Sequence, residues 1–293
     1  MWRRLAISLG IVLLVMGAGL WWLSAPDPLE ADSLAGIEGD SDAGRDIFLA
    51  AGCGSCHMAP GSDVDPLLLT GGREFPSDFG TFVAPNISTD PDHGIGDWSQ
   101  AEFINATMRG ISPDGRHYYP AFPYTSYVRA ELQDMADLYA YMMTLPADAT
   151  PSRAHDLGFP FNIRRGVGLW KAQFLRDEWV ITGDLSEEEE RGRYLAEALS
   201  HCAECHTPRN ALGALDHDQW LRGAPNPSGR GRIPAIAGEG FDWTAFDMSA
   251  YLDTGFTPDF DVVGGTMAAV VNNLHQLPTS ERDAIAAYIL RAR

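Results

Sequence analysis

Basic residues are scarce in this 293-residue chain. Against 40 Asp and Glu residues it has 21 Lys and Arg, which gives a formal net charge of −19. An acidic chain lacks the basic surface that nucleic-acid binding requires, so no nucleic-acid partner is expected. The chain also lacks a G-x-G-x-x-G motif that would open a dinucleotide-binding fold, and no nucleophile–base set stands out. A non-catalytic role is therefore favoured over an enzymatic one.

Cysteine is scarce too, and all four cysteines lie in two copies of one motif. Cys53-Gly54-Ser55-Cys56-His57 and Cys202-Ala203-Glu204-Cys205-His206 both read C-x-x-C-H. This is the signature of covalent c-type haem attachment, in which two thiols bond one porphyrin and the following histidine binds its iron. The alternative, one zinc site that uses all four cysteines, leaves both histidines unexplained. The motifs predict two covalently bound haem c groups, with His57 and His206 as proximal iron ligands.

The chain has one long apolar run, at its N-terminus. Arg3 and Arg4 precede Leu5–Leu23, which contains no charged residue and ends in Trp21-Trp22-Leu23. Its length approaches the thickness of a bilayer's hydrocarbon core, and the arginines favour a cytoplasmic N-terminus. We predict an uncleaved single-pass anchor in the cytoplasmic (inner) membrane, with the rest of the chain in the periplasm. A cleaved signal peptide is the alternative.

The two halves of the chain repeat one another. An offset of 145 positions aligns Trp98 with Trp243 and Gly110 with Gly255. Each half has a helical pattern before C-x-x-C-H, a middle helix after a Trp, a Gly/Pro loop and a closing helix, an order that resembles the class I cytochrome c fold. We predict a mainly α protein with an N-terminal transmembrane helix and two such domains. The predicted segments are an anchor at 1–25, a tether at 26–41, a first cytochrome c domain at 42–146, a connector at 147–184 and a second cytochrome c domain at 185–293.

The connector permits two interpretations. It either packs the two domains together or forms a docking strip for a partner subunit or the membrane surface. Residues 170–179 within it fit one amphipathic helix.

The second iron ligand on each haem is a separate question. In a class I cytochrome it is usually a Met on the loop before the last helix, and Met267 occupies that loop in the second half. The same offset places Phe122 opposite Met267 in the first half, and phenylalanine cannot bind iron. His117, five residues earlier, is the favoured substitute there. Met108 and an open or weakly held iron site stay as alternatives.

Several segments resemble the cytochrome c subunits of membrane-bound alcohol and gluconate dehydrogenases. The segments in question are Ala84–Asp90, Gly94–Ser99, Gly115–Tyr127, Cys205–Asn210 and Gly264–Met267. In that family the loop around Phe122 typically reads YPAMPY, with Met as the ligand, so the first haem departs from the pattern. The family's third haem domain is absent from this sequence.

The resemblance implies an electron-transfer role. Such a subunit takes electrons from a periplasmic or membrane dehydrogenase and passes them to quinone, a soluble cytochrome or a terminal oxidase. The acidic surface suits electrostatic docking on a basic partner. The alternative is a dihaem enzyme of the peroxidase or thiosulfate-oxidising type, with the first haem open or labile. A gas or redox sensor is a third interpretation, but no output domain is evident.

Overall fold

A computed structural model describes residues 2–61, 65–227, 229 and 231–292 of the chain. Its helices are α1 Trp2–Leu23, α2 Ser41–Ala51, α3 Cys53–His57, α4 Gln100–Arg109, α5 Tyr124–Tyr127, α6 Leu132–Met142, α7 Gly166–Phe174, α8 Glu187–Arg193, α9 Ala203–His206, α10 Ala245–Thr254, α11 Met267–Leu274 and α12 Thr279–Arg291. Its strands are β1 Glu74–Ser77, β2 Gly80–Val83, β3 Asp156–Leu157, β4 Ala224–Pro225 and β5 Arg232–Ile233. Because helices dominate these elements, the predicted mainly α class is confirmed.

Helix α1 is exposed along its whole length. Within the described part of the chain it is the one helix long and apolar enough to cross a bilayer. It buries no residue against the rest of the protein. An apolar helix that stays unburied is stable in a lipid environment rather than in water.

Two helix pairs form the centre of the fold. Helix α2 packs on α6, and α8 packs on α12. Each pair meets at a glycine: a Cβ on Gly44 would lie 1.9 Å from the carbonyl oxygen of Asp137, and one on Gly192 would lie 1.8 Å from that of Ala284. Only glycine permits so close an approach of two helix backbones. The same contact therefore occurs in both halves.

The middle helices repeat in the same way. Ser99 begins α4 and Thr244 begins α10, and both residues form capping boxes with the acidic residue three positions later. Gly110 and Gly255 end the two helices in the left-handed conformation. These pairs keep the 145-position offset, so the internal repeat extends to local geometry.

The sequence patterns did not indicate any strands. Strands β1, β2 and β3 form an antiparallel sheet in which β2 is central, and β4 pairs antiparallel with β5. All five strands have four residues or fewer. Strands this short give too little alternation of polar and apolar residues for a period of two to be recognised.

The tether packs on the first half of the protein, whereas the connector contacts both halves. In the tether, the backbone amide of Leu29 donates to Asn105 at 2.7 Å, and Leu34 is buried. In the connector, the predicted helix at 170–179 was wrong in its bounds, because α7 begins at Gly166 and ends at Phe174. The backbone turns extended at Leu175, which stops the helix there.

Candidate functional site

The first C-x-x-C-H motif follows a sharp turn at the end of α2. Gly52 adopts φ 65°, a left-handed conformation that glycine accepts without strain, and α3 then contains the whole motif. The thiols of Cys53 and Cys56 are free rather than paired in a disulfide. Burial raises the pKa of Cys53 to about 12 and raises that of Cys56 as well, so both thiols are neutral at physiological pH.

The backbone before the second motif differs from the backbone before the first. Helix α8 continues into a π-helical turn at Tyr194–Leu199, a geometry that is rare and found frequently at functional sites. His201 follows with φ 40°, and α9 then begins one residue after Cys202. Cys202 and Cys205 are also free thiols whose pKa values burial raises.

The imidazole rings of the two motif histidines are oriented by the same kind of hydrogen bond. The Nδ1 atom of His57 lies 2.9 Å from the carbonyl oxygen of Pro85, and that of His206 lies 2.8 Å from the carbonyl oxygen of Pro234. A carbonyl can only accept, so Nδ1 carries the proton and Nε2 keeps its lone pair. Burial also lowers the pKa of both imidazoles, which keeps them neutral. Each motif thus offers two thiols and one oriented imidazole nitrogen, which is the donor set that a c-type haem uses.

Sequence reasoning missed these two prolines. Each lies 28 residues after the histidine whose ring it orients. The equal spacing was visible in the sequence, although the use of the proline carbonyl was not.

The loops that precede the two second-ligand positions have one backbone pattern. Ile111 pairs with His117 as Phe256 pairs with Val262. The amide of Tyr118 donates to Gly110, and that of Val263 to Gly255, both at 2.7 Å. The 145-position offset of this shared pattern places Phe122 opposite Met267. Its ring packs among aromatic neighbours, with ring centroids 5.9 to 6.3 Å away: Tyr118, Tyr124 and Tyr127.

We call residues 110–117 the first distal loop. His117 ends this loop and lies beside the end of the anchor helix. Its side chain is buried, and Nε2 lies 2.9 Å from the carbonyl oxygen of Ser24. Nδ1 has no hydrogen-bond partner among the described residues. If Nε2 donates to Ser24, the lone pair of the imidazole is on Nδ1. Iron ligation by His117 stays a prediction, and Nδ1 is the atom that this geometry leaves for it.

The other candidate ligands differ in their surroundings. Met267 is the first residue of α11 and is partly exposed. Met108 lies inside α4 and is buried in the apolar core. Ligation by Met267 stays a prediction, and burial in the core is the ordinary use of a side chain such as Met108.

Hydrogen bonds join the segments around the two motifs. Asn273, on α11 of the second half, donates to the Ser55 hydroxyl within the first motif at 3.0 Å. Thr125, on α5 of the first half, donates to the Glu204 carboxylate within the second motif at 2.6 Å. In addition, the carbonyl of Ala51, just before the first motif, lies 3.2 Å from Nε2 of His201, just before the second. Each motif is thus hydrogen-bonded to the opposite half of the protein.

Glu197 is a buried acid that joins both halves to the connector. Its carboxylate accepts from the backbone amides of Val180 and Ile181 and from the Tyr288 hydroxyl of α12. It also lies 4.0 Å from the Arg129 guanidinium of the first half, and both side chains are almost fully enclosed. Sequence reasoning gave no signal for this group, because its partners are distant in the chain.

The thiols do not gather into one metal cluster. Within residues 2–61, 65–227, 229 and 231–292, no three Cys, His, Asp or Glu side chains lie in an arrangement that could hold a metal ion.

Comparison with known proteins agrees with this description. The Cytochrome c family model matches residues 41–146. A "Diheme cytochrome c-type" protein of Cereibacter sphaeroides is 52% identical over 99% of this chain and 98% of its own length. The chain belongs to the dihaem c-type cytochromes, and its cofactors are two covalently bound haem c groups.

Two further relatives are parts of dehydrogenases. The fructose dehydrogenase cytochrome subunit of Gluconobacter japonicus is 35% identical over 97% of this chain. A nicotinate dehydrogenase subunit of Pseudomonas putida is 38% identical over 84%. The chain spans 58% of the length of the first and 21% of the second. The predicted resemblance to dehydrogenase cytochrome subunits is confirmed. This relationship indicates an electron-transfer role.

Proposed function

We propose that this dihaem cytochrome carries electrons from a partner dehydrogenase to a respiratory acceptor on the periplasmic face of the cytoplasmic membrane. The acceptor would be quinone, a soluble cytochrome or a terminal oxidase. The observation that supports the proposal most directly is that each motif is hydrogen-bonded to the opposite half of the protein, through Ser55–Asn273 and Thr125–Glu204. Because each contact joins a motif to the opposite half, the two motifs have a fixed mutual position, which electron transfer between the haem groups they would hold requires.

In this proposal the motif residues hold the cofactors. Cys53 and Cys56 attach one haem and Cys202 and Cys205 the other, with an imidazole Nε2 on each iron. The haem iron supplies the one-electron chemistry when bound. The protein would supply the cysteines that form the thioether bonds, the oriented imidazoles and the buried surroundings, and the last two tune a haem potential.

The second ligands are proposed as Met267 for the second haem and His117 for the first. Met267 follows the loop that the repeat places opposite the first distal loop. His117 has an unpartnered ring nitrogen among the described residues, in a buried site. A permanent second ligand on both irons suits a carrier, whereas an open first iron suits the peroxidase or thiosulfate-oxidising alternative.

The anchor and the partner complete the proposal. Helix α1 is retained as a single-pass anchor, and Arg3 and Arg4 keep its start in the cytoplasm. The donor is a dehydrogenase because the relatives named above belong to dehydrogenases of nicotinate and fructose. The excess of acidic residues would steer a basic docking partner.

The test is substrate-driven haem reduction in membranes. Membranes that contain the full chain are given nicotinate, fructose, gluconate or ethanol in turn, and the reduced c-type absorption band is followed. The control is the variant with Cys202→Ala and Cys205→Ala. We expect one substrate to reduce haem in the wild-type membranes. The same substrate should give a smaller reduced band in the control membranes. Rapid peroxide turnover by the purified chain, with no substrate-driven reduction, would contradict the carrier role.

A further inference from the structure

Four large apolar side chains of the connector are exposed to solvent. Phe159, Phe161, Ile163 and Leu169 lie just before α7 or within it, and Phe159 is 81% exposed. We call these four residues the connector face. Solvent-exposed aromatic and aliphatic side chains grouped in one short segment mark a contact surface.

The charge of this segment is opposite to that of the chain. Residues 157–176 contain four Lys or Arg and no Asp or Glu, whereas acidic residues outnumber basic ones almost two to one overall. The Lys171 ammonium is bonded inward to backbone carbonyls, so the accessible positive charge comes from the exposed Arg176 and the half-buried Arg164 and Arg165. Arginines beside exposed aromatics are a composition that binds the headgroup region of an anionic bilayer.

The connector is fixed to the end of the anchor helix. The Arg165 guanidinium donates to the carbonyl oxygen of Trp21 at 2.6 Å and to the Ser24 hydroxyl at 2.9 Å, and it lies 4.1 Å over the Trp21 ring. Gly168 packs so closely on this point that a Cβ there would lie 2.3 Å from the Ser24 carbonyl oxygen. The start of α7 therefore lies against the C-terminal end of α1.

We propose that the connector face inserts into the interfacial region of the membrane leaflet at the C-terminal end of α1. It would form a second membrane contact beside α1. The proposal rests on the proposed retention of α1 as an anchor. Its occupant is a phospholipid surface with anionic headgroups. Tryptophans at the end of a membrane helix mark this interfacial depth. Arg165, which lies in the chain between Ile163 and Leu169 of the connector face, contacts Trp21.

The contact would also orient the first half of the protein. Arg164 donates to the carbonyl oxygen of His117 at 3.1 Å, and the Lys171 ammonium donates to that of Gly110 at 2.8 Å. The connector thus holds both ends of the first distal loop. A membrane-bound connector face places that loop next to the bilayer.

The test is photocrosslinking of the full haem-containing chain. Phe159→p-benzoyl-phenylalanine is compared with Phe246→p-benzoyl-phenylalanine, because Phe246 is 80% exposed and lies on α10 in the second half. Each variant is irradiated in nanodiscs of phosphatidylethanolamine and phosphatidylglycerol and in native membranes, and adducts are identified by mass spectrometry. Intact mass first establishes whether residues 1–25 are present.

We expect phospholipid adducts at position 159 and at least tenfold fewer at position 246. Equal yields at both positions, or no lipid adduct at 159, would overturn the proposal while leaving the anchor intact. A polypeptide adduct at 159 in native membranes would assign the connector face to a partner subunit instead. A mature chain that lacks residues 1–25 would overturn the anchor itself, and that outcome is read from the mass alone.

Discussion

Removing the buried acid Glu197 should weaken the attachment of the second half to the rest of the protein. In Glu197→Ala, the amides of Val180 and Ile181 and the Tyr288 hydroxyl lose their acceptor. The Arg129 guanidinium, whose side chain is 5% exposed, loses its nearest acid. Burial lowers the pKa of Arg129, which means that the protein already holds this cation at a cost.

The size of the effect follows from the buried charge. Breaking a buried ion pair by removing one partner costs about 3–5 kcal/mol, because the remaining charge is uncompensated. The matched control is Glu74→Ala, whose ion pair with Arg153 is exposed on both sides. Exposed pairs contribute about 0–1 kcal/mol, so the control should stay near the wild type.

The assay is urea unfolding of the full chain in a mild detergent, followed by far-ultraviolet circular dichroism and by haem absorbance. We expect the free energy of unfolding of Glu197→Ala to fall by about 3–5 kcal/mol relative to the wild type. A loss no larger than that of Glu74→Ala would refute the assignment of Glu197 as a buried junction.

Three further predictions concern the helix crossing, the haem count and a buried lysine. Gly44→Ala places a methyl group 1.9 Å from a backbone oxygen, so thermal unfolding should occur at a clearly lower temperature than in the wild type. The control is Gly158→Ala, whose methyl group would meet nothing within 4 Å. Equal unfolding temperatures for the two variants would contradict the close contact between α2 and α6. The variant with Cys202→Ala and Cys205→Ala should hold half the covalent haem of the wild type in a pyridine haemochrome assay, and an unchanged count would contradict the attachment. Burial, with a nearby guanidinium, lowers the pKa of Lys171 to about 7 in the folded state. The unfolded chain then binds the extra proton between about pH 7 and pH 10.5, so the free energy of unfolding should rise with pH across that window more steeply than in Lys171→Met; parallel profiles would contradict this.

The repeat was predictable because its signals are local. Trp98, Gly110 and their partners 145 positions later are helix-boundary residues, and the boundaries of α4 and α10 are set by caps a few residues away. Local chemistry of this kind is legible in a sequence. The two haem motifs were predictable for the same reason, since their residues are adjacent.

Other features depend on contacts between distant residues. The partner of His117 is the Ser24 carbonyl, 93 positions away, and Glu197 meets Tyr288, 91 positions away. Backbone carbonyls have no signature in a sequence, so Pro85 and Pro234 gave no indication of their use. The bounds of α7 were also mispredicted, because its start is set by Arg165 and Gly168 packing on the end of α1.

The central claim is that both irons act as permanently ligated electron carriers. The measurement that tests it most directly is electron paramagnetic resonance, with near-infrared magnetic circular dichroism, on the oxidised full chain and on His117→Ala. We predict two low-spin haems, one with His/Met and one with bis-His ligation, and loss of the bis-His signal in the variant. A high-spin first haem that is unchanged by the substitution and turns over peroxide would contradict the claim.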